Sequence, residues 1–259
     1  MMLLTGVLLL LLILVCGWQG LTIFFSLGLN FVVIILALVL IAGGFNPLVV
    51  SGLLSLILLA TSIFMNTKQP LTAKTAFVTS LLVVLALLVV IVPISHWAAT
   101  YGFGAEDAEE IEGFGLAIGL SFPQVGMIMT VLASLGAIAE TSIAVASGLV
   151  EILEYDEQMA PAPLFKAGIA IGEKIIATAF NTLFFSFFGS FLSLTIWFIQ
   201  LGYPLAKILN HKILIGEILT LLIGVIGVIA TVPITSWLVN RFRKSPTTQT
   251  SLEKKVNSD

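Results

Sequence analysis

Glu140 is the residue from which any chemistry in this sequence has to start. It lies in SLGAIAETSIAVASGLVEIL, Ser134 to Leu153, where every neighbour up to Glu151 is apolar, small or a hydroxyl. A carboxylate at membrane depth costs several kcal/mol unless it is neutralised, paired or wetted, so such groups face a bundle interior or an aqueous path. At 100° per residue, Ala133, Glu140, Ser147 and Glu151 fall in a stripe roughly 40° wide, with Gly136, Ala144 and Gly148 close by. Small residues let another helix approach, which turns Glu140 towards a neighbour and away from lipid.

Two further polar faces accompany it. In LFKAGIAIGEKIIATAFNTLFF, the residues Lys174, Thr178 and Asn181 share one side within about 60°. This face is the natural partner for Glu140. Asn181 is the stronger choice, because Lys174 sits at a different depth. Nearer the C-terminus, Glu217, Gly224, Gly227, Thr231 and Thr235 run roughly along one side of a glycine-rich helix. Thr231 and Thr235 either line a cavity there or donate to the carbonyl one turn earlier, as membrane threonines commonly do. Asn30, the one amide of its helix, either hydrogen-bonds a neighbouring helix or belongs to a permeation path.

An intramembrane acid, Asn and Thr faces and many glycines are the ingredients of a translocation path with a titratable site. Low dielectric disfavours the charged form of a carboxylate, and such a group can take up and release a proton. Enzyme chemistry has no comparable footing. The sequence holds no HExxH, phosphate loop or GxSxG, and its two histidines, His96 and His211, fall near the ends of apolar runs. The expectation is a non-enzyme without cofactor or metal. Cys16, the single cysteine, excludes an intrachain disulfide. The acidic run AEDAEEIE, with Glu106, Asp107, Glu109, Glu110 and Glu112, offers oxygens to divalent cations. Its lack of fixed spacing favours a solvated acidic helix start.

The elements that must position these residues follow from composition. Residues are 59% hydrophobic and only 10% charged, and mean hydropathy is +1.15. A soluble domain carries about a quarter charged residues. Apolar runs of roughly twenty residues match helices that cross a hydrocarbon core about 30 Å thick, whereas barrel strands alternate in shorter segments. The fold class is therefore all-α: a polytopic transmembrane bundle of about seven spans over 2–18, 21–42, 48–65, 75–98, 124–153, 175–200 and 213–239. A short re-entrant or interfacial piece occupies 113–122. The first run lacks a basic n-region and a cleavage site, which makes it a retained span and not a signal peptide. Gly43, Gly44, Asn46 and Pro47 stop the second helix. An amphipathic approach helix precedes the sixth span.

Residues 1–240 thus form the membrane domain, and 241–259 a polar, disordered cytoplasmic tail. Lys68 and Lys74 in a short loop, and Arg241, Arg243 and Lys244 after the last span, mark the cytoplasmic side and give N-out, C-in. Lys207 and Lys212 fall on the opposite side, against that rule. The bilayer is the expected partner. The basic residues need no nucleic acid to explain them.

Three segments carry a family resemblance: LGAIAETSIAVASGLVEI, LFKAGIAIGEKIIATAFNTLFFSFFGSFLSL and IGEILTLLIGVIGVIATVPITSWL. Together with Asn30 and the NTKQPLTAK loop, they resemble the YibE/F family of bacterial multi-pass membrane proteins. The resemblance implies a protein of the bacterial cytoplasmic membrane whose substrate is not established. Many members carry an additional N-terminal anchor and extracytoplasmic segment, which implies a companion YibE/F-type subunit for this chain, or a homo-oligomer. Members often have Asp where this chain has Glu140, and Arg-Asp where it has Glu173 and Lys174. The arrangement of acid, connector, Asn-Thr helix and Gly-rich last helix is also similar in pattern to the membrane halves of SecD/SecF and resistance-nodulation-division transporters. That similarity implies proton-coupled motion, with Glu140 as the proton-binding acid. The leading expectation is a transporter or transport-complex subunit. The alternative is a non-transporting scaffold that binds a companion membrane protein through its small-residue faces.

Overall fold

A computed structural model describes residues 2–98 and 122–243. Among these, eight helices follow in order: α1 Met2–Cys16, α2 Trp18–Ala42, α3 Pro47–Phe64, α4 Pro70–Ala98, α5 Phe122–Tyr155, α6 Pro161–Gln200, α7 Leu205–Leu209 and α8 Lys212–Phe242. No strand occurs among the described residues. The acidic run 105–112, the 113–121 part of the short apolar piece, the side chain of His96 and the tail beyond Arg243 lie outside the described residues.

Among the described residues, five helices are long and apolar enough to cross a membrane: α2, α4, α5, α6 and α8. With 15 residues, α1 rises about 22 Å, short of a hydrocarbon core about 30 Å thick. The described apolar part of α3, Leu48–Phe64, is likewise among the shorter helices. Exposed side chains such as Leu3, Val15, Phe25, Phe31 and Val39 suit contact with lipid chains.

Turn chemistry places the first three helices. Gly17 takes φ 59 between α1 and α2. A Cβ on Gly20 would stand 2.2 Å from the Leu12 carbonyl oxygen, so the hairpin closes only around a glycine. Gly44, at φ 87, follows α2. Asn46 then caps α3 by accepting from the Leu48 N–H at 3.0 Å, with Pro47 in the first turn where its missing N–H costs nothing.

Prolines start helices here more often than they stop them. Expected boundaries at 75 and 175 move to Pro70 and Pro161, because a proline in the first turn has a preset φ and no orphan donor. The approach helix continues into the sixth span, and together they make one helix of 40 residues. The connection before it is pinned to the end of α8. Arg243 donates to the Met159 carbonyl at 2.6 Å, and Asn240 to the Pro161 carbonyl at 3.1 Å.

The core forms where α4, α5 and α8 meet. Val83, Leu87, Ile91, Val131, Ile138 and Ile223 are buried together. Alongside them run buried hydroxyls: Thr72, Thr75, Thr79 and Ser80 on α4, Ser142 on α5, and Thr231, Thr235 and Ser236 on α8. Ser80 and Ser142 share a hydrogen bond of 2.8 Å. Against this core α6 packs through glycine. A Cβ on Gly168 would lie 2.2 Å from Ser236 Oγ, and one on Gly172 would lie 2.1 Å from Val232 Cγ1. The Gly-x-x-x-Gly spacing lets the α6 and α8 backbones approach closely, as it does in membrane helix pairs generally.

Candidate functional site

Glu140 sits near the middle of α5, and its side chain is exposed within a cleft bounded by α2, α3 and α5. The cleft has a volume of about 510 Å³. Its polar lining is Glu140, Asn30, Ser62 and Asn66, and its remaining walls are apolar. Opposite Glu140, α2 and α3 are tied by their own polar contact. Asn30 Nδ2 donates to Ser62 Oγ at 3.1 Å, and Thr61 Oγ1 donates to Asn30 Oδ1. Asn66 Nδ2 donates to the Ser62 carbonyl at 2.8 Å. Asn30 therefore bonds a neighbouring helix, the first of its two readings, and also lines the cleft.

The two flanks of α5 explain which helix Glu140 meets. Taking 100° per residue, Leu132, Leu135, Ala139 and Ile143 lie to one side of Glu140, and Gly148 lies about 80° to the other. The first flank borders the cleft with α2 and α3. On the second, a Cβ on Gly148 would stand 2.9 Å from Ile171 Cδ1, so that flank is where α6 arrives.

The structure does not bring Asn181 to Glu140. Lys174, Thr178 and Asn181 are exposed on α6, outside the cleft lining. Thr178 donates to the Ile175 carbonyl at 3.0 Å, which satisfies its hydroxyl within its own helix. Ser147 is half-buried. Glu151, on the same stripe, lines a second cavity of about 460 Å³ with Gly148, Tyr155, Asp156 and Met159. Thr231 is fully buried and donates to the Gly227 carbonyl at 2.7 Å, and Thr235 donates to the Thr231 carbonyl at 2.8 Å. Both therefore form the back-bond, the plainer of their two readings. Glu217 is half-buried in the second turn of α8. His211 is buried, its ring 4.5 Å from that of Phe198.

Sequence reasoning missed Ser62 and Asn66 as the far wall, and Thr61 as the donor to Asn30 behind it. Their signal was present as polar residues clustered at the end of an apolar helix. It also passed over Thr72, Thr75 and Thr79, whose spacing of three and four residues marks one helical face, and Ser80 beside them. Among the described residues, no group of three or more His, Cys, Asp or Glu side chains is placed to hold a metal.

Several long apolar helices, packed around buried hydroxyls and close glycine crossings, define a polytopic α-helical membrane protein. Over residues 4–245 the chain matches the family model described as YibE/F-like protein, and it belongs to that family. No curated protein and no solved structure matches it.

Proposed function

We propose that this chain is a transporter, or the membrane subunit of a transport complex, in the bacterial cytoplasmic membrane. In this reading Glu140 takes up and releases a proton as the α2–α3–α5 cleft changes its access. The reading rests on one observation: the mid-helix carboxylate opens onto a cleft beside two carboxamides and a hydroxyl instead of packing against a neighbouring helix. A carboxylate in such a setting marks ion and proton pathways in membrane proteins generally. In this reading α1 and α3 are short spans around which the bilayer thins, which gives seven spans in an N-out, C-in arrangement, and no catalytic step is involved.

A scaffold role draws on a different observation. The exposed face of α6, with Lys174 and Asn181, offers hydrogen bonds that a companion subunit or a second copy would meet. The two readings separate at Glu140→Gln. Purified protein in proteoliposomes, with an imposed pH gradient and a dye for internal pH, reports proton movement. The transport reading expects the Gln variant to lose it while assembling normally. A Gln variant that moves protons as fast as wild type sinks the proton role and leaves the scaffold.

A further inference from the structure

The polar equipment of the Glu140 cleft is small and one-signed. Among the described residues, Glu140 is the only ionisable one in its lining, and no described cation lines the cleft with it. The opposite wall adds none: α2 and α3 contain no acidic or basic side chain, and Lys68, two residues past Asn66, is exposed and outside the lining. The charged residues of α4, α6 and α8 belong to helices that reach α5 elsewhere, at Ser142, Gly148 and Ile138. Lys74 is one of them, and its ammonium lies over the Phe242 ring at 4.7 Å. Ionised Glu140 therefore gives the cleft a net negative charge.

Neutral acceptors stand near that charge. Asn66 uses one N–H on the Ser62 carbonyl, and its own Oδ1 accepts no hydrogen bond from another described residue. Asn30 Oδ1 accepts from Thr61 and keeps a second lone pair. Everything else is greasy: Ile34, Leu58, Leu132, Leu135 and Ile143 supply the walls. A volume of about 510 Å³ is the size of a small-molecule site, and apolar walls with a few placed polar groups are the usual make-up of one.

Three ligand classes fail on this chemistry. An anion meets an uncompensated carboxylate. A hard metal ion wants six or more oxygens, and a single carboxylate with two amides falls short. A small hydrated cation leaves the apolar walls without a purpose. We infer that the Glu140 cleft binds a lipophilic amine, its cationic nitrogen on the Glu140 carboxylate and its apolar body against the walls from α2, α3 and α5. The inference rests on the reading of this cleft as a transport site and adds the class of substrate. It also couples the two occupants, since a protonated Glu140 offers no charge to the amine. Proton and amine exclude each other, and exchange of one for the other needs no second acidic residue.

The test uses the full chain in nanodiscs of zwitterionic phosphatidylcholine, which present no net negative surface. The probe is the fluorescent cationic amine 9-aminoacridine, with uncharged acridine as its control at mildly alkaline pH and empty nanodiscs as background. Wild type is expected to bind the cation saturably and acridine far more weakly. Glu140→Gln is expected to weaken cation binding about tenfold or more, and Glu140→Asp, which keeps the charge, to retain most of it. Gly136→Leu supplies a second arm that leaves the carboxylate in place. A Cβ at Gly136 meets nothing within 4 Å, so the variant is expected to fold and to fill the cleft from its floor. Equal binding by the Gln variant, equal binding of neutral acridine, or unchanged binding in Gly136→Leu each overturns the inference. Amine binding that depends on Glu140 in a protein that moves no protons would discard the proton reading and keep the site. Proton movement without amine binding would discard only the amine.

Discussion

Substituting Gly172 with alanine adds one methyl group where there is no room for it. The new Cβ would stand 2.1 Å from Val232 Cγ1, 2.7 Å from Cγ2 and 2.9 Å from Cβ. Ordinary carbon contacts lie at about 3.5–4.0 Å, so the α6–α8 crossing has to open by roughly 1.5 Å or Val232 has to leave its place. Val232 is poorly suited to leave, because a β-branched side chain in a helix has essentially one rotamer. Overpacking of this kind costs about 1–3 kcal/mol. Alanine returns up to about 1 kcal/mol through its helix propensity. The net expectation is a loss of roughly 1–2 kcal/mol, which for a chain of this size lowers Tm by several degrees, at about 2–4 °C per kcal/mol. Thermal unfolding of purified protein in detergent measures it. The double variant Gly172→Ala/Val232→Ala removes the obstacle and is expected to recover part of the loss, a coupling that a double-mutant cycle reads directly. Gly189→Ala, where a Cβ meets nothing within 4 Å, is the control and is expected to be neutral or slightly stabilising. A Gly172→Ala protein as stable as wild type would refute the close crossing, and with it the reason α6 arrives where it does.

Two further outcomes are expected. Thr79 Oγ1 is buried and has no hydrogen-bond partner among the described residues, so Thr79→Val removes an unsatisfied polar group and leaves Tm unchanged or raises it by the equivalent of about 1 kcal/mol; a clear fall in Tm would show that the hydroxyl is satisfied by ordered water. Arg243→Ala frees the Met159 carbonyl and is expected to speed limited proteolysis at residues 156–160, with little effect on the helices; an unchanged cleavage rate would show that Asn240 alone holds the connection.

The elements and the acid were legible in the sequence, and the pairing was not. Apolar runs and the Gly-Gly-Phe-Asn-Pro turn located α2 and α3 to within a few residues, because hydrophobic length and turn chemistry are local properties. Periodicity also gave Glu140 a face. It could not say which helix stands opposite, since that depends on the order of helices around α5. The order turns on contacts distant in sequence: Ile171 against Gly148 fills one flank of α5 with α6 and leaves the other to α2 and α3. Asn181 looked like the partner because it is polar and lies in a neighbouring helix, and it faces outward instead. The buried hydroxyls of α4 were passed over for a related reason. Thr and Ser can back-bond anywhere in a helix, so their types alone do not distinguish an interior seam from a lipid face.

Residues 2–67 contain no acidic or basic side chain. This stretch supplies α1, α2 and α3, and so one entire wall of the Glu140 cleft. A charge displaced through a membrane potential gains or loses about 2.3 kcal/mol per 100 mV. Shifting α1–α3 against α5 displaces no charged side chain, so the voltage across the membrane does no work on such charges in that wall. Within the cleft, the field acts on the Glu140 carboxylate and on whatever it holds.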